Sequence, residues 1–134
     1  MIIGGVTKAA KRRIMEAFLA SGEWYIALFT NAADVHALTE KYAATGESSG
    51  PGYKAGGKAL EGGRVEMDGD VACITFNDAK WPVCTIDAYG ALIYDRKSKD
   101  TMVVIDFGGK KVASNGPFTV FMPLASRDTA LLRV

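Results

Sequence analysis

The sequence predicts a mainly β protein: an antiparallel β-sandwich, jelly-roll-like, preceded by one N-terminal α-helix. Three observations predict it. A single segment near the start, Thr7 to Ala20, repeats apolar residues at helical spacing. From Trp24 onward the chain breaks into about seven or eight short apolar, aromatic or alternating runs divided by glycine-containing turns, the pattern of antiparallel sandwiches and barrels. After the first strand no strand–helix–strand alternation appears, which argues against a parallel-sheet nucleotide fold. The expected organisation is an arm and helix over residues 1–22, then a β-sandwich domain over 23–134 that carries a long connection at 30–57.

The helix begins at Thr7, whose hydroxyl is placed to accept an N–H of the first turn, and ends at Ser21-Gly22. Ala10, Ile14, Ala17 and Phe18 share one face, which is expected to be the buried one. Lys8, Lys11, Arg12 and Arg13 crowd the first half, where the positive end of the helix dipole disfavours cations. They read either as a solvated basic face or as charges compensated from outside the helix, as by a carboxylate surface on a partner.

Trp24 to Phe29 is short and aromatic-rich, as a buried strand is. Thr30 to Gly57 is irregular, with one or two helical turns expected within Val35–Ala44 and none of regular structure over Glu47–Tyr53. A connection this long in a small domain points to contacts with partners. Ala59-Leu60 opens a strand, and Arg64–Met67 and Val71–Phe76 pair through a turn at Asp68-Gly69. A turn holding Trp81 is expected over Asn77–Pro82. Cys84–Tyr94, bent at Gly90, meets Met102–Phe107 across a charged tip at Asp95–Asp100. Gly108–Lys111 and Ser114–Gly116 read as further turns, Pro117–Met122 as an amphipathic strand, and Ala130–Val134 as the closing one.

Composition narrows the function. With 134 residues, 49% hydrophobic, the chain is long enough for a core without metal or disulfide staples. Lys plus Arg total 16 against 15 Asp plus Glu, a net charge of +1, whereas a general nucleic-acid binder needs a basic footprint. The 15 glycines have no three-residue period, which excludes collagen. The two cysteines, Cys73 and Cys84, lie in apolar runs and read as buried free thiols. The start lacks the order of a signal peptide, and no run reaches a membrane span, so synthesis in the cytosol is expected.

Reactive constellations are scarce. His36 is the single histidine and reads as a surface or capping residue of a turn. None of Ser21, Ser48, Ser49, Ser98, Ser114 and Ser126 sits in a nucleophile-elbow pattern. Gly50–Lys58 lacks the Gly-Lys-Ser/Thr ending of a phosphate loop. Glu61, Glu66, Asp68 and Asp70 lack the twelve-residue calcium-loop pattern and read as turn chemistry on a solvated edge. The expectation is therefore a non-enzymatic chain with no cofactor, no metal, no catalytic residue, no specific nucleic acid and no membrane partner. Its candidate partner contacts are Lys8, Lys11, Arg12 and Arg13 on the helix, with Tyr42, Tyr53 and Trp81 beside turns. Such aromatic residues either anchor an interface or cap the domain's own core.

Several stretches carry a resemblance. They are Trp24–Ala33, Thr45-Gly46-Glu47, Gly52–Gly57, Gly90–Asp95, Ile105–Gly108 and Asn115–Val120, spread over residues 24–122. The chain resembles the capsid decoration, or cement, proteins of short-tailed bacteriophages. That resemblance implies a jelly-roll or related sandwich on the outer capsid surface of the virion, assembled in the host cytoplasm. It implies binding to the major capsid protein, bridging of shell subunits against internal DNA pressure, and pairing with a copy of itself as a dimer. The basic helix lies outside the resemblance. Two other readings compete: a tail or head-completion structural protein, and a carbohydrate-binding β-module if Tyr53, Trp81 and Tyr89 converge into a sugar-stacking surface.

Overall fold

A computed structural model describes residues 1–134. It is a mostly β fold with two sheets, one N-terminal helix and no closed barrel. Helix α1 (Lys8–Ala20) precedes β1 (Trp24–Phe29), β2 (Lys58–Ala59), β3 (Arg64–Asp68), β4 (Val71–Thr75), β5 (Ala79–Asp95), β6 (Thr101–Val120) and β7 (Leu132–Arg133). Four strands pair in the order β2-β1-β5-β6 and three in the order β3-β4-β7, every pair antiparallel. The chain divides into two compact units: residues 1–22, 61–77 and 122–134 form one, and 23–60 with 78–121 form the other. No helix is long and apolar enough to cross a membrane.

The first unit holds α1 and the three-stranded sheet. Thr7 caps the helix as expected: its backbone is extended and its hydroxyl accepts from Ala10 N at 3.2 Å. The buried face differs from the expected one. Met15 is the buried residue, with Lys11 and Leu19 partly buried one turn either side, while Ile14 and Phe18 are exposed. Both stripes have helical spacing. On the buried stripe Lys11 leaves only 19% of its side chain exposed, while its ammonium stands 3.6 Å from Asp70. Asp70 thus supplies part of the compensation that the cation-rich first turn requires.

The β3–β4 register pairs Asp68 with Val71, so the two linking residues are Gly69 and Asp70, one position later than expected. Gly69 has φ +60, the left-handed backbone such a turn needs. Ala72 to Phe76 are all buried, so both faces of β4 are covered. Cys73 is a free buried thiol, as Cys84 is in the other unit. Asp68 accepts from Arg127 N at 2.7 Å, and Arg127 reaches Asp70 at 3.3 Å, so these two carboxylates of the acidic run serve the unit's own turn and C-terminal segment. The Lys11 ammonium first, then a backbone N–H and after it Arg127, hold the Asp70 carboxyl below its ordinary range.

The second unit is built on one long ribbon. Strands β5 and β6 have 17 and 20 residues, where the sequence suggested shorter strands broken by turns. Register shifts absorb the expected breaks. Trp81 lies in β5 opposite Phe118, and the shift between Trp81 and Cys84 takes Pro82 out of the ladder, where its missing N–H costs nothing. Asn115, with φ +50, bulges opposite Thr85 and donates its N–H to that hydroxyl at 2.9 Å. A shift between Ala88 and Gly90 leaves residues 107–110 as an excursion in β6, opposite Tyr89. The core runs through Ile26, Ala27, Leu28 and Phe29 of β1 and Leu92, Ile93 and Tyr94 of β5.

Candidate functional site

The connection from Thr30 to Gly57 is irregular yet bonded along its length. The helical turns expected over 35–44 do not form. Instead Thr39 N donates to His36 O at 2.9 Å and His36 N to the Thr39 hydroxyl at 3.0 Å, closing a turn. His36 Nδ1 accepts from Leu38 N at 3.1 Å, the capping role anticipated for it. Beyond the turn, hydrogen bonds to the hairpin tip displace local helix. Tyr42 N donates to Lys99 O at 2.8 Å, the Thr101 hydroxyl donates to Thr39 O at 2.6 Å, and Lys41 pairs with Asp100. Further on, Ser48 N donates to Leu28 O at 2.8 Å and its hydroxyl to Asp87 O at 2.6 Å, so two strands grip one buried serine.

Glu47 organises the centre of the connection. One carboxylate oxygen accepts from the Tyr42 hydroxyl; the other accepts from the Tyr53 hydroxyl at 2.5 Å and from Gly56 N at 2.8 Å. Tyr53 oxygen in turn accepts from Leu28 N at 2.9 Å, and Tyr94 donates to Gly56 O at 2.6 Å. Burial, followed by hydrogen bonding to the Glu47 carboxylate, raises the Tyr42 and Tyr53 phenols well above their ordinary range. Tyr94 is pushed up to about 12, by burial first and then by the Glu47 charge.

Against this hub the chain packs closely. A Cβ at Gly57 would stand 1.8 Å from Ile26 O, and the residue has φ +82, so glycine is required on both counts. Gly52 is held the same way, 2.1 Å from Val83 O at φ +82.

A cleft of about 360 Å³ opens beside the hub. Tyr25, Tyr42 and Tyr94 line it, with Tyr42 stacked on Tyr94 at 4.3 Å between ring centres and 10° between planes. Lys54 enters from the segment leading into β2, Lys58 from β2 itself, and Arg96 and Lys99 from the β5–β6 tip. Lys99 Nζ lies 5.6 Å from the Tyr42 ring centre and 5.8 Å from that of Tyr94, and the Arg96 guanidinium lies 5.4 Å over Tyr25. No carboxylate is among the lining residues. Asp95 braces the tip from behind: it accepts from Glu23 N at 3.0 Å, Lys97 N at 3.2 Å and the Ser98 hydroxyl at 2.8 Å. The Glu23 N–H, with the Ser98 hydroxyl next, keeps its carboxyl below the ordinary range. What this arrangement offers chemically is anion recognition on an aromatic floor.

The residues singled out from sequence fall into two sets. Tyr42 and Tyr53 meet at Glu47, and Tyr53 lies 5.8 Å from Trp81. Trp81 is 5% exposed, packed by Tyr53, Phe118 and Lys58, so it caps its own unit's core and is not available to stack on a sugar. Tyr89 lines a different, smaller cavity beside Phe29 and Asp106. Lys8, Lys11, Arg12 and Arg13 sit on α1 in the other unit, with Lys11 near Asp70 and Arg12 3.6 Å from Glu16. Sequence reasoning missed Glu47, Tyr25, Tyr94 and the four cleft cations. The one local signal was a lone carboxylate between two tyrosines in a glycine- and serine-rich loop. Comparison with protein-family models, with curated proteins and with solved structures finds no match to this chain.

Proposed function

We propose that this chain is a bacteriophage head decoration protein, a non-enzymatic module that binds the major capsid protein on the outer face of the virion and stabilises the shell. The observation that supports this most is the 30–57 connection, a long loop hydrogen-bonded to β1, β5 and the β5–β6 tip. Such a loop presents a fixed surface, so little conformational entropy is lost when it docks. The stretches that carry the sequence resemblance include 30–33, 45–47 and 52–57 of this connection. One module contacting several shell subunits makes their separation cost more, because the contacts must fail together. A jelly-roll-like arrangement of the two sheets belongs to the same proposal, as do assembly in the host cytoplasm and pairing of the chain with itself. Antiparallel pairing throughout, with strand orders that skip along the sequence, is what supports the arrangement.

The test is co-sedimentation of purified chain with shells assembled from the major capsid protein of the phage that encodes it. Saturation at hundreds of copies per shell, with a raised shell melting temperature, is the expected result. A ring's worth of copies, about six or twelve, would instead assign a tail or head-completion role. No binding at all would end the proposal.

A further inference from the structure

The basic–aromatic cleft has a composition that the decoration reading by itself does not require. Four cations converge on it from two stretches of chain about forty residues apart in sequence. Three of the heads are held at separate points: Lys58 donates to Lys80 O and lies over Trp81 at the cleft's margin, Arg96 lies over Tyr25 and 3.6 Å from Glu23, and Lys99 lies over Tyr42 and Tyr94. Cations spread in this way match a row of negative charges better than one compact anion, which needs donors gathered on a point. A nucleic acid also presents a row of charges, but a chain of net charge +1 lacks the wider basic footprint that strand binding uses. The lining segment 54–59 includes β2, a two-residue strand at the edge of its sheet. An edge strand is a template on which an extended peptide pairs its backbone. The cavity volume is at the lower end of the range of ligand-binding pockets.

We propose that this cleft docks a short extended acidic segment of a partner protein, its carboxylates distributed among Lys54, Lys58, Arg96 and Lys99 and its backbone running along β2. The inference deepens the decoration reading and rests on it only for the source of the partner. Tyr25, Tyr42 and Tyr94 serve as the floor: they hold Arg96 and Lys99 in place by cation–π contact and exclude water from one side of the ion pairs those two cations would make.

Capped hexaglutamate is the probe, titrated into the full chain at low salt while amide resonances are followed by NMR. The expected result is shifts concentrated at Gly56, Gly57, Arg96 and Lys99, with affinity that falls as salt is added. Lys54→Gln/Arg96→Gln, which leaves the left-handed Lys99 backbone (φ +68) untouched, should weaken binding at least about tenfold. Arg12→Gln/Arg13→Gln on α1 should leave it unchanged. Absence of binding overturns the inference, and so do shifts located elsewhere. Tighter binding of inorganic phosphate or of a deoxyoligonucleotide at the cleft also overturns it. Failure of hexaglutamate with shell co-sedimentation intact removes this inference alone. Hexaglutamate binding at the cleft without co-sedimentation removes the decoration reading alone.

Discussion

Two groups of cations in this chain look alike by count and differ in how they are brought together. On α1, Lys8, Lys11, Arg12 and Arg13 lie within six residues and make the densest positive run in the sequence. Lys11 faces Asp70, and Arg12 faces Glu16 on its own helix. Around the tyrosine cleft, Lys54, Lys58, Arg96 and Lys99 are scattered in sequence, yet they line one cavity without a carboxylate among them. Local density of charge is set by sequence neighbours, whereas a recognition field is set by what the fold brings together. The glycine that lets the chain approach β1 and the carboxylate that ties the connection down create the second group.

The sharpest way to break the cleft and spare the helix is Gly57→Ala. The new methyl group would overlap Ile26 O at 1.8 Å, and the residue would be held at φ +82. A loss above about 4 kcal/mol is expected, comparable with the whole stability of many small domains. The urea unfolding midpoint measures it, and Gly5→Ala, with nothing within 4 Å, is the silent control. If Gly57→Ala folds with wild-type stability, the close approach of 54–59 to β1 is wrong.

On the helix side, Met15→Ala is expected to cost about 2–3 kcal/mol, because it empties the one buried position of α1. Ile14→Ala should stay within about 0.5 kcal/mol, since Ile14 is 55% exposed. The reverse order in chemical denaturation would restore the face that helical periodicity favoured.

Glu47→Gln sharpens the comparison at the hub. A carboxylate accepts from two phenols and an N–H at once, but the glutamine amide nitrogen cannot accept, so one donor is left unsatisfied. A loss of about 2 kcal/mol is expected. The variant should also ionise its tyrosines at lower pH, read from phenolate absorbance. In the wild-type chain, the phenols of Tyr42, Tyr53 and Tyr94 are harder to ionise folded than unfolded. The folded state therefore holds more protons at alkaline pH, and stability falls as pH rises from about 10, the ordinary tyrosine value, through about 12 and beyond. Asp95 acts at the other end: its carboxyl is depressed in the fold, so its contribution is present above the ordinary carboxylate range and is lost as pH falls below that range through the depressed value. Urea midpoints across pH separate the two limbs, and Glu47→Gln should flatten the alkaline one.

What was legible in the sequence was whatever is decided locally. Thr7 as cap, the aromatic β1, the glycine turn joining β3 to β4, and the charged tip at 95–100 all follow from residues within a few positions of each other. The β5–β6 ribbon was not legible as one piece, because Pro82 and Gly108-Gly109 look like stops until register shifts take them out of the ladder. Tyr42, Tyr53 and Trp81 were legible as aromatic residues beside turns, but their inward direction depends on Glu47 and Phe118, which come from other stretches of chain. The cleft was illegible for the same reason: Tyr25, Tyr42, the 54–59 segment and the 94–99 tip share no local pattern.

The smallest expected effect probes the helix cations themselves. The first turn of α1 contains no acidic residue, and Lys8 sits at the positive end of the dipole. Lys8→Glu should therefore stabilise the chain, by about 0.5 kcal/mol at low salt and less as salt is added. Lys11→Gln should move stability the other way, because its ammonium serves Asp70. Neither change touches the cleft, so hexaglutamate affinity should not move. Shell binding is the discriminating readout. If Lys8→Glu gains stability and keeps shell affinity, the basic run is a solvated face; if it gains stability and loses shell affinity, an acidic partner surface holds that charge in place against the dipole. Only the second outcome makes the helix cations shell contacts in their own right.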